Sequence, residues 1–268
     1  MIAKKRLGQN FLRDQAVVHK IISTLNLRKE EILLEIGCGR GALTRHLVGT
    51  TTRFIGIELD TELFTGLKRE FQDGSTLFLN QDILTLHLEQ LLHKIGADST
   101  LFKVVGNIPY YISSPLVQWL TQQVDFLESA TIMFQREVGE RLSAMPGTKE
   151  YGLLSLLGQY YFQVSSLFTV KAGAFWPTPK VDSQVVRFTP LRKRILSKDK
   201  EQAFFAFLKH GFSQRRKILV NALKPAPIRG ECLDRAMNRL GLSRQTRAEE
   251  LSLQKLSELF LEIEREGC

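Results

Sequence analysis

Glu31-Ile32-Leu33-Leu34-Glu35-Ile36 followed by Gly37-Cys38-Gly39-Arg40-Gly41 constrains the fold of this chain more than any other stretch. The mostly apolar run reads as a short buried strand. The alternate glycines then let the backbone turn sharply with no Cβ between it and a ligand. Ala42 to Val48 reads as the start of a helix. Strand, glycine turn and helix in that order is the arrangement of a nucleotide site. The same residues also satisfy the permissive dinucleotide pattern GxGxx(G/A), so the turn alone leaves the cofactor open.

The unit then repeats. Arg53 to Glu58 reads as a strand ending in a carboxylate. Glu58 follows Gly37 by 21 positions, close to the separation of about 20 expected of an acid that binds ribose hydroxyls. Asp60 is placed to cap the next helix. Thr76 to Leu84 reads as a third strand with Asp82 at its end. A carboxylate there can accept from the amino group of an adenine ring, although a strand-end Asp also serves as a turn residue.

The apolar run Leu101 to Val105 reads as a fourth strand, broken at Gly106 and followed by Asn107-Ile108-Pro109-Tyr110. At the carboxyl edge of a parallel α/β sheet, that content suits a planar base with an exocyclic amine. The amide oxygen and a carbonyl held rigid by proline accept the two hydrogens, and the ring stacks on the heterocycle. An Asn-x-Pro turn with Tyr110 as packing is the plainer alternative.

Further along, Ser114-Pro115 opens a helix to Val124, Ser129 to Phe134 reads as strand five, and helices begin at Arg136 and Leu153. Val164 to Val170 and Gln184 to Phe188 read as strands six and seven. In the loop between them two prolines stiffen Phe175-Trp176-Pro177-Thr178-Pro179 and present Phe175 as a fixed plate, or else as a hydrophobic plug. The alternation from 31 to 190 predicts one doubly wound domain. An extended Leu7-Gly8-Gln9-Asn10-Phe11-Leu12 and a helix capped by Asp14 precede it.

Beyond Pro190 the alternation stops. Residues 191–268 read as a small helical domain, with Ala203, Phe204, Phe207, Leu208 and Phe212 on one stripe and Leu251, Leu256, Leu259, Phe260 and Ile263 on another. The net charge of +9 is local, because residues 191–230 hold 11 Lys/Arg against 2 Asp/Glu. Ser213-Gln214-Arg215-Arg216-Lys217 is the densest basic cluster, so a polyanionic partner gripped by Arg215, Arg216 and Lys217 competes with a merely solvated face. No run is long enough to span a membrane, and polar Gly8-Gln9-Asn10 stands where a signal peptide needs apolar residues. Three cysteines without metal-ligand spacing fit reduced thiols in a cytosolic setting, and no metal site is expected.

With Glu35-Ile36-Gly37-Cys38-Gly39, Glu58, Asp82, Asn107-Ile108-Pro109-Tyr110 and Phe175-Trp176-Pro177 in order, the chain resembles the small-subunit rRNA adenine N6-dimethyltransferase family. The likeness runs from Gly8-Gln9-Asn10-Phe11-Leu12 into the basic helical tail. Cys38 and Thr178 depart from it, standing where proline is common in that family. The resemblance implies a Rossmann-like class I methyltransferase sheet of seven strands, the last antiparallel, over residues 1–190. A basic helical RNA- or ribosome-binding domain over 191–268 would follow.

It also implies the cofactor S-adenosylmethionine. The turn of Glu35, Gly37 and Gly39 would lie against its methionine part, Glu58 would hold its ribose, and Asp82 with Ile83 would meet its adenine. Asn10 and Leu12 would close over it. Asn107, next to the cofactor, would bind the target adenine N6 together with the Pro109 or Ile108 carbonyl; Tyr110 would stack on that base and Phe175 line the opposite side. The implied substrate is a pair of adjacent adenines in a hairpin loop near the 3′ end of small-subunit rRNA, modified during subunit assembly by a cytoplasmic monomer. A large-subunit rRNA enzyme of the macrolide-resistance type shares nearly the same core motifs. An NAD-dependent oxidoreductase would use the glycine turn and Glu58 but not Asn107–Tyr110, and a non-catalytic RNA-binding assembly factor would use only the tail.

Overall fold

A computed structural model describes residues 8–71, 76–97, 100–214 and 217–267. Its strands are β1 (Phe11–Leu12), β2 (Ile32–Ile36), β3 (Arg53–Ile57), β4 (Thr76–Leu79), β5 (Phe102–Asn107), β6 (Leu127–Gln135), β7 (Phe162–Val170), β8 (Phe175–Trp176) and β9 (Ser183–Pro190). Seven of them form one sheet in the order β4-β3-β2-β5-β6-β9-β7. The mostly apolar, buried runs of β2 and β5 suit its centre, since a parallel strand covered on both faces needs no polar alternation. β2 pairs in parallel with both β3 and β5, so the chain winds outward in one direction to β4 and then in the other to β6. That reversal opens a crevice at the strands' carboxyl ends, between β2 and β5. As expected, one strand of the sheet is antiparallel: β9, inserted between β6 and β7.

Lys103 is one of two ionisable side chains buried in this centre, the other being Glu35 of β2. Its ammonium is satisfied by Glu31 Oε1 at 2.9 Å and by the carbonyl of Asn26 at 2.7 Å, which permits burial of the charge.

Side-chain caps fix where the helices begin. Asp14 accepts from the amides of Ala16 and Val17 to start Gln15–Leu25, and Asp60 accepts from Glu62 to start Thr61–Glu70. The third strand stops at Leu79, short of the expected Leu84. Asp82 turns the chain there by accepting from the amide of Leu84 at 3.0 Å, which caps a 3-10 turn at Ile83–Thr85. Pro115 is not the first residue of its helix either, which begins at Ser113 directly after a 3-10 turn at Tyr110–Ile112.

β1 and β8 form a separate two-stranded antiparallel ladder, pairing Phe11 with Trp176 and Leu12 with Phe175. The sequence reads these segments as an extended arm and a loop. Two-residue strands carry too little periodicity to be seen without their partners.

The chain divides into two compact units. One runs to Glu140 and resumes over Phe162–Pro190; the other comprises Arg141–Tyr161 and the chain from Leu191. Residues 141–161, which the alternation places in the first domain, thus group with the helical part. The cause is local: the helix Leu153–Tyr161 is too apolar to stand alone. Tyr160 packs against Phe204, with centroids 5.9 Å apart, in a core that also takes in Phe207, Leu256 and Phe260. Cys38 is free and buried, but Cys232 is disulfide-bonded. The expectation of reduced thiols fails at Cys232. Among the described residues no helix is long and apolar enough to cross a membrane.

Gly56 in β3 is where the sheet meets the crevice most tightly. A Cβ at this position would lie 2.6 Å from the Phe78 ring and 2.8 Å from Cys38 Sγ. Gly56→Ala is therefore expected to destabilise the fold by about 1–3 kcal/mol, the usual range for an overpacked core. A lowered urea midpoint would show it; an unchanged midpoint would mean that Phe78 moves aside freely.

Candidate active site

The crevice at the carboxyl ends of β2, β3 and β5 is a cavity. Its wall is built from the glycine turn after β2, Glu58 after β3, Asp82 and Ile83 beyond β4, Asn107 to Pro109 after β5, and Asn10 to Leu12 of the N-terminal arm. Of the cofactor-binding residues expected from the sequence, all of Asn10, Leu12, Glu35, Gly37, Gly39, Glu58, Asp82, Ile83 and Asn107 line it.

The turn stands on left-handed backbone at Gly37 (φ 70°), Gly39 (φ 57°) and Gly41 (φ 76°), a region that residues with a Cβ avoid. It is pinned from β3: Gly37 N–H donates to the carbonyl of Ile57 at 2.8 Å, and Gly39 N–H donates to Glu58 Oε2 at 2.7 Å. The other oxygen of Glu58 accepts from the amide of Asp60 at 2.8 Å. Both oxygens are thus held while each keeps a lone pair for a ligand hydroxyl. Burial nonetheless raises the Glu58 pKa above the usual carboxylate range.

Glu35 sits deeper, at 2% exposure. Thr44 Oγ1 donates to its Oε2 at 2.8 Å, tying β2 to the short helix Thr44–Leu47. Burial pushes its pKa up to about 8, so at neutral pH it is mostly protonated. Asp82 spends Oδ1 on the Leu84 amide and keeps Oδ2 clear of protein donors among the described residues.

At Asn107 the amide direction is decided by its neighbour. Nδ2 donates to the carbonyl of Asn10 at 3.3 Å, which leaves Oδ1 as an acceptor without a protein partner among the described residues. The Pro109 carbonyl accepts the amide of Ile112 at 3.2 Å and closes the turn that follows.

The aromatic residues are arranged differently from expectation. Tyr110 does not line the cavity; its hydroxyl shares a 2.8 Å hydrogen bond with Ser183 Oγ at the start of β9, and burial raises its pKa. Tyr111, which the sequence motif does not single out, does line it and is 58% exposed. The tyrosine doublet was the available signal. Phe175 is not a plate on a loop. It is 3% exposed and packs in the core with Leu12, because the strand alternation of β8 turns Phe175 inward and Trp176 outward. Gln9 also escapes a reading from sequence: its Nε2 donates to Asp60 Oδ2 at 3.2 Å and it lines the cavity.

In the helical unit Lys217 is exposed; Arg215 and Arg216 lie outside the described residues.

A profile of the family described as ribosomal RNA adenine dimethylase matches residues 2–265. The chain belongs to that family. The ribosomal RNA small subunit methyltransferase A of Geobacter metallireducens is 40% identical over 260 residues, 96% of this chain and 94% of that one. A dimethyladenosine transferase of Plasmodium falciparum superposes with a TM-score of 0.82 at 25% identity, covering 96% of this chain and 98% of the other. The 23S rRNA methyltransferase ErmE superposes with a TM-score of 0.73 at 24% identity over 95% of this chain and all of that one, which establishes the shared fold. As a ribosomal RNA adenine dimethylase the chain is a methyltransferase whose cofactor is S-adenosylmethionine. The cavity fits that molecule: a Cβ-free turn admits it closely, Glu58 is oriented for hydroxyl groups, and Asp82 Oδ2 is open to an amine. The NAD reading of the glycine turn is thereby set aside.

The buried Glu35 ties stability to pH. Its folded-state pKa of about 8 lies above the ordinary carboxylate value, so the folded protein binds this proton more tightly than the unfolded chain. The stabilisation is full in acid and is lost as pH rises through the ordinary value towards about 8, by at most about 1.4 kcal/mol per pH unit. Urea unfolding is expected to show a midpoint that falls across this window. Glu35→Gln, which keeps the Thr44 contact, should flatten the fall; an equally steep fall in that variant would place the proton elsewhere.

Proposed function

We propose that this chain transfers methyl groups to the N6 amine of adenine in small-subunit rRNA. The finer reading is that two adjacent adenines of a 3′-terminal hairpin loop are each dimethylated, on a partly assembled subunit, by a cytoplasmic monomer. The observation that carries the proposal is Asn107 Oδ1, an unpartnered acceptor on the wall of a cavity fitted to S-adenosylmethionine.

The bound cofactor supplies an activated methyl group on a sulfonium. An adenine amine is a poor nucleophile because its lone pair is delocalised into the ring. Asn107 Oδ1 accepts one N6 hydrogen and the carbonyl of Ile108 or Pro109 accepts the other. The nitrogen then pyramidalises and turns its lone pair towards the donor. Alignment of this kind supplies most of the catalysis; the methyl would leave sulfur as the N6–C bond forms, and the extra proton on N6 would then pass to water, so no general base acts before transfer.

Glu58 and Asp82 hold the two ends of the adenosine, and Asn10 and Leu12 cover it. Tyr110, outside the cavity lining, stacks on the base extruded beside the cavity, with its hydroxyl kept by Ser183. Stacking returns about 1–3 kcal/mol of the few kcal/mol that base extrusion costs. Phe175 acts from behind, by seating Leu12. The exposed Lys217, with Arg215 and Arg216, binds rRNA phosphates. The 40% identity along the whole chain to a small-subunit enzyme supports this substrate over the large-subunit one, which has similar core motifs and the common fold in its favour.

Asn107→Ala is expected to abolish methyl transfer to small ribosomal particles while leaving RNA affinity nearly intact; full activity would refute the assignment. Lys217→Glu should weaken RNA binding and make the slope of log affinity against log salt shallower, by roughly 0.7–0.9 for each phosphate no longer gripped. An unchanged slope would remove Lys217 from the interface.

A further inference from the structure

Beside the cofactor cavity lies a second recess to which nothing above gives a role. The two share Phe11, Leu12, Arg40 and Ala42, so the N-terminal strand borders both. The recess continues to Arg13, Gln15, Arg45 and Trp176, and its lining contains three guanidinium groups and no carboxylate. The Arg40 guanidinium carbon stands 4.5 Å from the Phe11 ring centroid and 4.9 Å from that of Trp176, within cation–π range of both. Arg45 is paired with Glu70 through two hydrogen bonds, Nε to Oε1 at 2.8 Å and Nη2 to Oε2 at 3.2 Å. Arg13 is exposed, and among the described residues its side chain meets neither a carboxylate nor another acceptor. Trp176, turned outward by the β1–β8 pairing, leaves 38% of its surface open.

A recess lined by positive charge selects an anion, and an open indole beside it selects a flat ring. One ligand answers both demands: a nucleotide within a polynucleotide. We propose that this recess holds a nucleotide next to the target adenine, its phosphate at Arg13 and its base on the exposed indole of Trp176. The inference rests on the reading of the chain as an RNA methyltransferase. The need for such a site follows from the chemistry, because extruding one base leaves its neighbour without a stacking partner. An aromatic face beside the cavity replaces that partner whatever the neighbour's identity.

The test combines four measurements on the full chain. Titration with an adenine-containing single-stranded RNA oligonucleotide should quench the indole fluorescence of the wild type, and Trp176→Phe should remove that change. In methyl transfer to small ribosomal particles, Trp176→Ala and Arg13→Ala should each raise KM for RNA by roughly tenfold, within the range expected of a stacking interaction, with kcat unchanged. Trp176→Phe should restore most of the affinity. Arg13→Ala should also make the salt slope shallower by about 0.7, the value for one phosphate of a single strand. Calorimetry should give both variants the wild-type affinity for S-adenosylmethionine. A loss there would assign the recess to the cofactor and overturn the proposal, as would an unchanged KM. Absence of methyl transfer by the wild type would instead defeat the underlying function, while fluorescence still reports on the recess.

Discussion

The carboxylate of Glu58 joins the parts on which this site depends. It accepts the Gly39 amide with one oxygen and the Asp60 amide with the other. The glycine turn after β2 is thereby held to the end of β3, and the cap of the next helix is drawn into the same network. Because the turn is built from left-handed glycines, its own residues resist displacement weakly. The bond from the neighbouring strand supplies the rigidity that the backbone lacks. The same group faces the cavity, so one buried acid both shapes the cradle and lines it. Its partner Glu35 braces the opposite side of the turn through Thr44.

The wider architecture follows from burial. β2 and β5 are apolar enough to sit in the middle of a parallel sheet, and their adjacency creates the switch point where the cavity opens. A glycine turn, two strand-end acids and an amide arrive there from separate parts of the chain. Each is chemically ordinary alone. Their convergence on one cavity, together with the family match along the chain, turns a nucleotide-type fold into a methyltransferase.

Much of this was legible in the residues. Short-range features showed clearly: the strand and helix alternation, the Asp14 and Asp60 caps, and the strand-end positions of Glu58 and Asn107 all depend on neighbours within a few residues. What was hidden depended on partners far away in sequence. Phe175 looks like a loop plate until Leu12 pairs with it across more than half the chain, and only then does the alternation decide which aromatic faces out. Tyr110 looks like a free ring until Ser183 is found at its hydroxyl. The helix Leu153–Tyr161 reads as part of the first domain because its apolar faces do not name their partners.

The β1–β8 ladder has one further consequence. The N-terminal arm is fastened by two strand pairs, by the Arg13 and Asp14 amides on the Ala174 carbonyl and by the Gln9 and Asn10 contacts, a small set of bonds beside those of the main sheet. An enzyme that adds successive methyl groups must trade spent donor for fresh between rounds. A strap of so few strand pairs can open locally without disturbing the seven-stranded sheet that carries the rest of the cavity.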